Sequence, residues 1–239
     1  MTIEILFKEV CGLYGDSQNP TYLQATLPDA TFIFTPLTDV PYFAEQDPDM
    51  IYIGSMSENT QRKVIEKLLP YKKRLGDLID KGTVILATGN AGEIFTTRID
   101  YITEESTVDG LGIFDLTVKN NLFDRYNGKV LGEFENMKIV GFRSQFSFLY
   151  GDNSENYFVK CIRGDGIHRG SQLEGMRKNN LFCTQIIGPI LPLNPEFCEY
   201  LIRLTGNEAT AAYRDAAMAA YHQRIQEFSD PNVVFGKNM

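Results

Sequence analysis

Few residues in this sequence could carry chemistry. The apolar run Thr83–Thr88 (TVILAT) ends on a hydroxyl and passes directly into Gly89-Asn90-Ala91-Gly92, a G-x-x-G turn that opens a helix. Such a turn can aim backbone N–H groups at an anion or a developing oxyanion. It lacks the lysine of a P-loop and the full dinucleotide fingerprint, so a plain tight turn is the simpler reading. Ser55, Ser57 and Asn59 crowd a second strand-to-helix junction, where capping a helix is the ordinary task for such side chains. His168 lies in the polar, glycine-flanked segment Gly166–Gly170, and His222 lies in the terminal helical stretch. Two histidines cannot build a histidine-rich metal site, and neither a metal nor a cofactor is expected. Cys11, Cys161, Cys183 and Cys198 contain no C-x-x-C pair and read as buried, reduced thiols. Asp165 and Glu174 read as solvated loop charges at the edge of any pocket.

These residues need a frame. Ile3–Val10 reads as a first strand, Asn19-Pro20 as a helix start with Asn as cap, Thr31–Thr35 and Met50–Ile53 as further strands. Ser57 caps a helical stretch to about Asp80, which Pro70 interrupts and Lys81-Gly82 closes. Thr83–Thr88 is apolar along its whole length, as a parallel strand covered on both faces should be. Strands and helices alternating at this spacing predict an α/β, doubly wound, mostly parallel sheet with helices on both faces. Past residue 110 short strand-like pieces, including Lys138–Phe142 and Tyr157–Cys161, lie among turns and read as an antiparallel extension of that sheet. Phe182–Ile187 reads as another buried strand. Pro195 opens a helix, and a long alanine-rich helix covers Asn207–Phe228. Residues 1–239 are expected to form one domain, with the segment 206–229 as an added C-terminal helix. On that helix Tyr213, Ala217, Ala220 and Tyr221 recur at helical spacing, as a packing stripe would.

Composition removes several function classes. With 239 residues, 43% hydrophobic and 23% charged, the chain can bury a substantial core without covalent staples. A net charge of −8 argues against nucleic acid, and the basic cluster Lys72-Lys73-Arg74 reads as a solvated helix face. No apolar run approaches the roughly 20 residues of a membrane span. No basic-then-apolar leader precedes the first strand. A cytoplasmic protein is expected, bound to neither membrane nor nucleic acid.

Leu13–Asp16 with Asn19, Asp49–Ser55 with Gln61, Gly110–Gly112, Ile139–Phe142 and Leu181–Pro192, five segments in order, together resemble the cobyric-acid-synthase (CobB/CobQ) branch of class I glutamine amidotransferases. The likeness is strongest to the small glutaminase subunits that amidate lipid II with a Mur-ligase-like enzyme. Leu13-Tyr14-Gly15-Asp16 with Asn19 is similar to that group's L-Y-x-D-x-x-N segment. Asp49–Ser55 with Gln61 resembles its D-x-x-x-x-G-G-S-D-x-x-Q strand and turn, and Gly110-Leu111-Gly112 its G-L-G segment. Ile139–Phe142 resembles the strand before its substrate-facing loop, and Leu181–Pro192 its L-x-G-T-Y-L-H-G-P-I-L-P segment. The resemblance covers roughly residues 1–204 and implies a flavodoxin-like, class I amidotransferase-like fold.

The resemblance also implies what is missing. The family pattern C-G-G-x-Q places a cysteine in a sharp strand-to-helix turn, where backbone N–H groups can stabilise an oxyanion. Against it, Thr88 falls at the nucleophile position and Ile187 at the position of the base before Gly188. A threonine hydroxyl without a base is a weak nucleophile, and isoleucine relays no proton. Cys183 lies about four residues, or ~13 Å, down the strand from Ile187 and is read as structural. The remaining pocket candidates are Ser55, Ser57, Gly89, Asn90, Gln145 and His168. Three readings of function follow. The first is a non-catalytic amidotransferase-like protein binding a small ligand or a partner, a Mur-ligase-like synthetase subunit or a second copy of itself. The second is an amidotransferase or hydrolase with altered chemistry in the same crevice, through Thr88 or His168. The third is a purely structural or oligomeric protein using the terminal helix.

Overall fold

The computed structural model describes residues 1–238. Its first part alternates β1 (Thr2–Leu6), α1 (Gln18–Thr26), β2 (Thr31–Thr35), β3 (Met50–Ile53), α2 (Glu58–Leu68), α3 (Lys72–Lys81) and β4 (Val84–Thr88). The strand-rich part follows with β5 (Thr96–Tyr101), β6 (Ser106–Asp109), β7 (Phe114–Asn120), β8 (Tyr126–Phe134) and β9 (Met137–Gln145). It continues with β10 (Ser147–Tyr150), β11 (Val159–Arg163), β12 (Leu173–Glu174), β13 (Met176–Lys178) and β14 (Leu181–Thr184). The chain then runs through α4 (Ile190–Leu193), α5 (Pro195–Leu204), α6 (Arg214–Ser229) and β15 (Gly236–Asn238).

The central sheet has the order β13-β14-β4-β3-β1-β2. All its pairings are parallel except β13 with β14. Every residue of β3, β4 and β14 is buried, because helices cover both faces. On one face Ile51, Ile53, Ile85 and Ala87 pack against Val64, Ile65, Leu75 and Leu78 of α2 and α3. On the other, Ile3, Ile5, Leu86 and Phe182 pack against Leu23 of α1 and Phe197, Leu201 and Ile202 of α5. The expected doubly wound α/β architecture is therefore present.

Local signals explain most boundaries. Ser57 caps α2, its hydroxyl accepting from the Thr60 N–H at 3.3 Å. Pro70 lies in a short 3-10 turn between α2 and α3, and Gly82 ends α3 with φ 93°. Other expectations are corrected. β1 stops at Leu6 because Phe7 turns the chain with φ 55°. Asn19 is no cap: it lies inside the first turn of α1, and its amide bonds inward to Tyr52. β14 ends at Thr184, and Ile187 instead bridges Phe142 across the crevice wall.

The terminal helix begins at Arg214, later than expected. Its packing face is Met218, Tyr221, Ile225 and Phe228, set against Leu131, Val140 and Phe142. Tyr213 and Ala220 are exposed, so the stripe of Tyr213, Ala217, Ala220 and Tyr221 is not one face.

The strand-rich part is more than an extension of the central sheet. Only β13 extends it antiparallel. The rest forms a four-stranded sheet, β10-β7-β5-β6, and a five-stranded one in which β8 pairs β11, β15 and β9. The alternating burial of β7 explains this, since a strand with one apolar face lies on a core as a separate layer. Replacing Ser57 by Ala should lower unfolding stability by about 1 kcal/mol in a denaturant titration, with the slope unchanged.

Candidate functional site

The carboxyl ends of β3, β4 and β14 meet at a narrow crevice of about 360 Å³ counted to its open mouth. Its wall includes Ser55, Gly89, Asn90, Gln145, Gln185 and Ile187. Four of the six pocket candidates are therefore brought together. Ser57 remains a helix cap. His168 lies elsewhere, with its ring stacked on Tyr150 at 5.6 Å and Nδ1 2.9 Å from the Arg169 carbonyl.

Thr88 ends β4 and leads into a 3-10 segment, Gly89–Phe95. Its own backbone is extended, with φ −109° and ψ 149°, so no strain is stored there. Its hydroxyl turns away from the crevice. It donates to Asp16 Oδ2 at 2.7 Å and lies 3.0 Å from Tyr52 Oη, and all three residues are buried. The residue in the left-handed region is Gly89, with φ 60°. A Cβ on Gly89 would stand 3.5 Å from Ile187 Cγ2 and only 2.6 Å from Ser55 Cβ. The expectation that Thr88 faces Ile187 is thus corrected by one residue: both lie at the same end of the sheet, but Gly89 is what faces Ile187.

The two junctions are locked together. Met56 N–H donates to Asn90 Oδ1 at 2.9 Å, and Asn90 Nδ2 donates back to the Met56 carbonyl at 2.8 Å. The Ser55 N–H donates to Asp16 Oδ2 at 3.0 Å, and the Ser55 hydroxyl donates to the Leu13 carbonyl at 2.8 Å. Asn19 donates to Tyr52 Oη at 2.9 Å and accepts from the Leu191 N–H at 2.9 Å. The Leu13–Asn19 segment, the β3 turn and the start of α4 therefore share one buried network.

A second network lies beneath the crevice floor around Glu93, which is fully buried. Glu93 accepts from Gln61 Nε2 at 2.8 Å, from Gln185 Nε2 at 2.7 Å and from the Ser147 hydroxyl. Tyr101 donates to Gln61 Oε1 at 2.7 Å. Glu174 is likewise fully buried rather than solvated, accepting from the Gln185 N–H at 2.8 Å and the Thr184 hydroxyl at 2.9 Å. Arg143, also buried, donates to Gln145 Oε1 at 2.9 Å and to the Asp165 carbonyl at 2.7 Å. Desolvation pushes the carboxyls of Asp16, Glu93 and Glu174 above the ordinary carboxylate range, against the opposing pull of their hydrogen bonds and, at Glu174, first of the Arg143 charge. Burial also raises the Cys183 thiol well above its usual value, which suits a structural role and not a nucleophile.

Sequence reasoning passed over Glu93, Gln185 and Arg143. The available signal for Glu93 was its place four residues past Gly89. Arg143 and Gln185 carried no local signal, since β9 and β14 meet around Glu93 only through the tertiary fold. Among the described residues no group of three or more His, Cys, Asp or Glu could hold a metal, and no helix is long and apolar enough to cross a membrane.

The comparisons agree with this architecture. No family model matches the chain. The chain is 30% identical over 156 residues to the GatD subunit of the glutamine-hydrolysing lipid II isoglutaminyl synthase of Staphylococcus aureus. The match covers 64% of this chain and 62% of that relative, so it spans about three fifths of the relative's length. In fold, the chain is similar to PurLQS from Thermotoga maritima, with TM-score 0.52, 12% identity and coverage of 96% and 99% of the two chains. It is also similar to a protein described as a glutamine amidotransferase, with TM-score 0.53, 11% identity and coverage of 86% and 99%. A glutamine amidotransferase from Thermotoga maritima gives TM-score 0.51, 6% identity and coverage of 96% and 90%.

Two outcomes follow from the geometry. Gly89→Ala should cost about 1–3 kcal/mol by chemical denaturation, from overpacking against Ser55 and the left-handed φ. Combining it with Ser55→Gly should recover part of that loss. The buried carboxyls set the second outcome. With pKa values raised in the folded state, their contribution is fully present below the unfolded-state value near 4.5 for Glu93 and is lost as pH rises through the folded value. Stability should therefore decline from about pH 5 upward. Glu93→Gln should flatten that decline by up to about 1.4 kcal/mol per pH unit, the limit for one proton.

Proposed function

We propose that this chain, which is a class I glutamine amidotransferase-like protein, is a non-catalytic member of that group that binds a ligand or partner through its crevice. The observation that carries the reading is Gly89. If the position facing the base site is the nucleophile position, the elbow residue here has no side chain, and Ser55 Cβ stands 2.6 Å from where one would begin. In that register Glu93 falls where the family pattern C-G-G-x-Q has glutamine, and Ile187 still falls at the base. A carbonyl could be held near the turn, yet residues 89 and 187 supply neither the thiol nor the imidazole of the family pair.

The partner is proposed to be a Mur-ligase-like synthetase in the cytoplasm, with a cell-wall-related role and not a cobalamin one. Support comes from the relative's description as a subunit of lipid II isoglutaminyl synthase. Altered chemistry through Thr88 gains no support, because that hydroxyl is buried against Asp16 and Tyr52 outside the crevice. His168, outside the crevice, gains none either.

The test is ammonia release from glutamine. Wild type, Thr88→Cys and the pair Thr88→Cys with Ile187→His should all be inactive, since residue 88 faces the wrong side of β4. The triple variant Ser55→Gly, Gly89→Cys, Ile187→His is the smallest change expected to regain a trace, because members of a catalytic set act together. Robust wild-type turnover that Thr88→Val or His168→Ala abolishes would sink the non-catalytic reading.

A further inference from the structure

The free edge of the central sheet carries an observation unrelated to the crevice. β2 is the terminal strand, and among the described residues only β1 pairs with it. The Thr31 N–H donates to the Met1 carbonyl at 2.9 Å, and the Thr35 carbonyl accepts from the Phe7 N–H at 2.8 Å. In a strand, alternate residues turn their backbone groups to opposite edges. Thr31, Ile33 and Thr35 thus face β1, while Phe32 and Phe34 present their N–H and C=O groups outward. Among the described residues no hydrogen bond meets those outward groups. Beside the edge lies an open groove of about 670 Å³, counted to its open mouth, between Ile33, Phe34 and the Val40–Tyr42 loop. Phe34 is 41% exposed and Val40 61%.

An exposed strand edge is a template for another strand, and proteins usually guard it with charge, proline or a bulge. Here the strand has no charge, proline or irregular register between Thr31 and Thr35. The Lys8 ammonium is turned onto the Phe34 ring at 4.9 Å. The sequence Thr31-Phe32-Ile33-Phe34-Thr35 also reads identically in both directions.

We infer that β2 pairs with the β2 of a second copy of this chain, antiparallel about a twofold axis at Ile33, joining two central sheets into one. A twofold interface requires residue i to meet residue j and j to meet i. The palindrome meets that condition with identical partners: Thr31 with Thr35 of the second copy, Phe32 with Phe34, and Ile33 with itself. The outward-facing residues are the ones that must form hydrogen-bonded pairs. Phe32 and Phe34 fulfil this, each pair exchanging both N–H···O=C bonds. Within one chain the two rings already stack at 6.5 Å, so four rings would form a continuous patch on one sheet face. Five residues make a small interface, so a weak dimer, on the order of micromolar or weaker, is the expected strength.

Sedimentation velocity over a concentration series measures the equilibrium, and a cysteine trap tests the register. Wild type should show a concentration-dependent dimer, and Phe34→Pro should raise its dissociation constant at least about tenfold. Proline at 34 removes both an outward N–H and the exposed Phe34 ring, the two contributions the pairing draws from that residue, and edge strands tolerate proline. Ile33→Cys should oxidise to a disulfide-linked dimer faster than Val40→Cys, because a self-opposed, non-hydrogen-bonded pair brings Cα atoms to about 4.5 Å. The native cysteines are all buried, so the background is low. A wild type that stays monomeric at several hundred micromolar overturns the proposal and leaves the edge to an extended segment of another protein. A dimer unaffected by Phe34→Pro, or equal oxidation of the two cysteine variants, also overturns it.

Discussion

The crevice depends on how closely two chain reversals approach, the one after β3 at Ser55 and the one after β4 at Gly89. Parallel neighbours in a sheet deliver their carboxyl ends side by side, so their turns must share one space. Here the contact is tight enough that only glycine fits at 89, with Ser55 Cβ filling the volume a side chain would need. The two-way amide clamp between Asn90 and Met56 holds the turns at that distance. Asp16 completes the arrangement, binding the Ser55 N–H and the Thr88 hydroxyl with one carboxyl oxygen.

That closeness sets the electrostatics beneath it. Asp16, Glu93 and Glu174 are buried, and among the described residues their hydrogen bonds come from amides, hydroxyls and backbone N–H groups. Neutral donors, joined at Glu174 by the nearby Arg143 charge, only partly offset the desolvation of a carboxylate, so the protonated form gains weight. Each carboxyl nevertheless joins several chain segments. Glu93 alone connects α2 through Gln61, β10 through Ser147 and the end of β14 through Gln185. Removing one such acceptor would strand several buried donors at once, a larger loss than any single hydrogen bond represents.

Much of this frame was legible in the sequence. Continuous apolar runs at Met50–Ile53 and Val84–Thr88, short and bounded by turn residues, read as strands covered on both faces, and Ser57, Pro70 and Gly82 are local devices with local outcomes. The site was legible to within one residue. Thr88 and Gly89 are both compatible with a turn, and which one adopts the left-handed conformation is decided by packing against Ser55, a residue 34 positions away. The split of the strand-rich part into two further sheets was hidden for a similar reason. Short antiparallel strands look alike in sequence, while their partners are chosen by which core face they can cover. Glu174 was misread because nothing local distinguishes a solvated carboxylate from one held by Thr184 and Gln185.

The relaxed backbone at Thr88 bears on why such a site persists. A nucleophile elbow forces a residue with a side chain into an unfavourable φ, and the surrounding fold must hold it there. With glycine at 89 that cost falls away, since glycine enters the left-handed region without a Cβ clash. The buried carboxyls are demanding features, and so is Arg143, with one guanidinium nitrogen lacking a partner. A crevice kept narrow, polar at its floor and unstrained at its turn is built for holding its shape. That physical character fits recognition better than turnover, because recognition rewards a fixed wall, whereas amide chemistry needs room for a thiolate, a base and a tetrahedral intermediate.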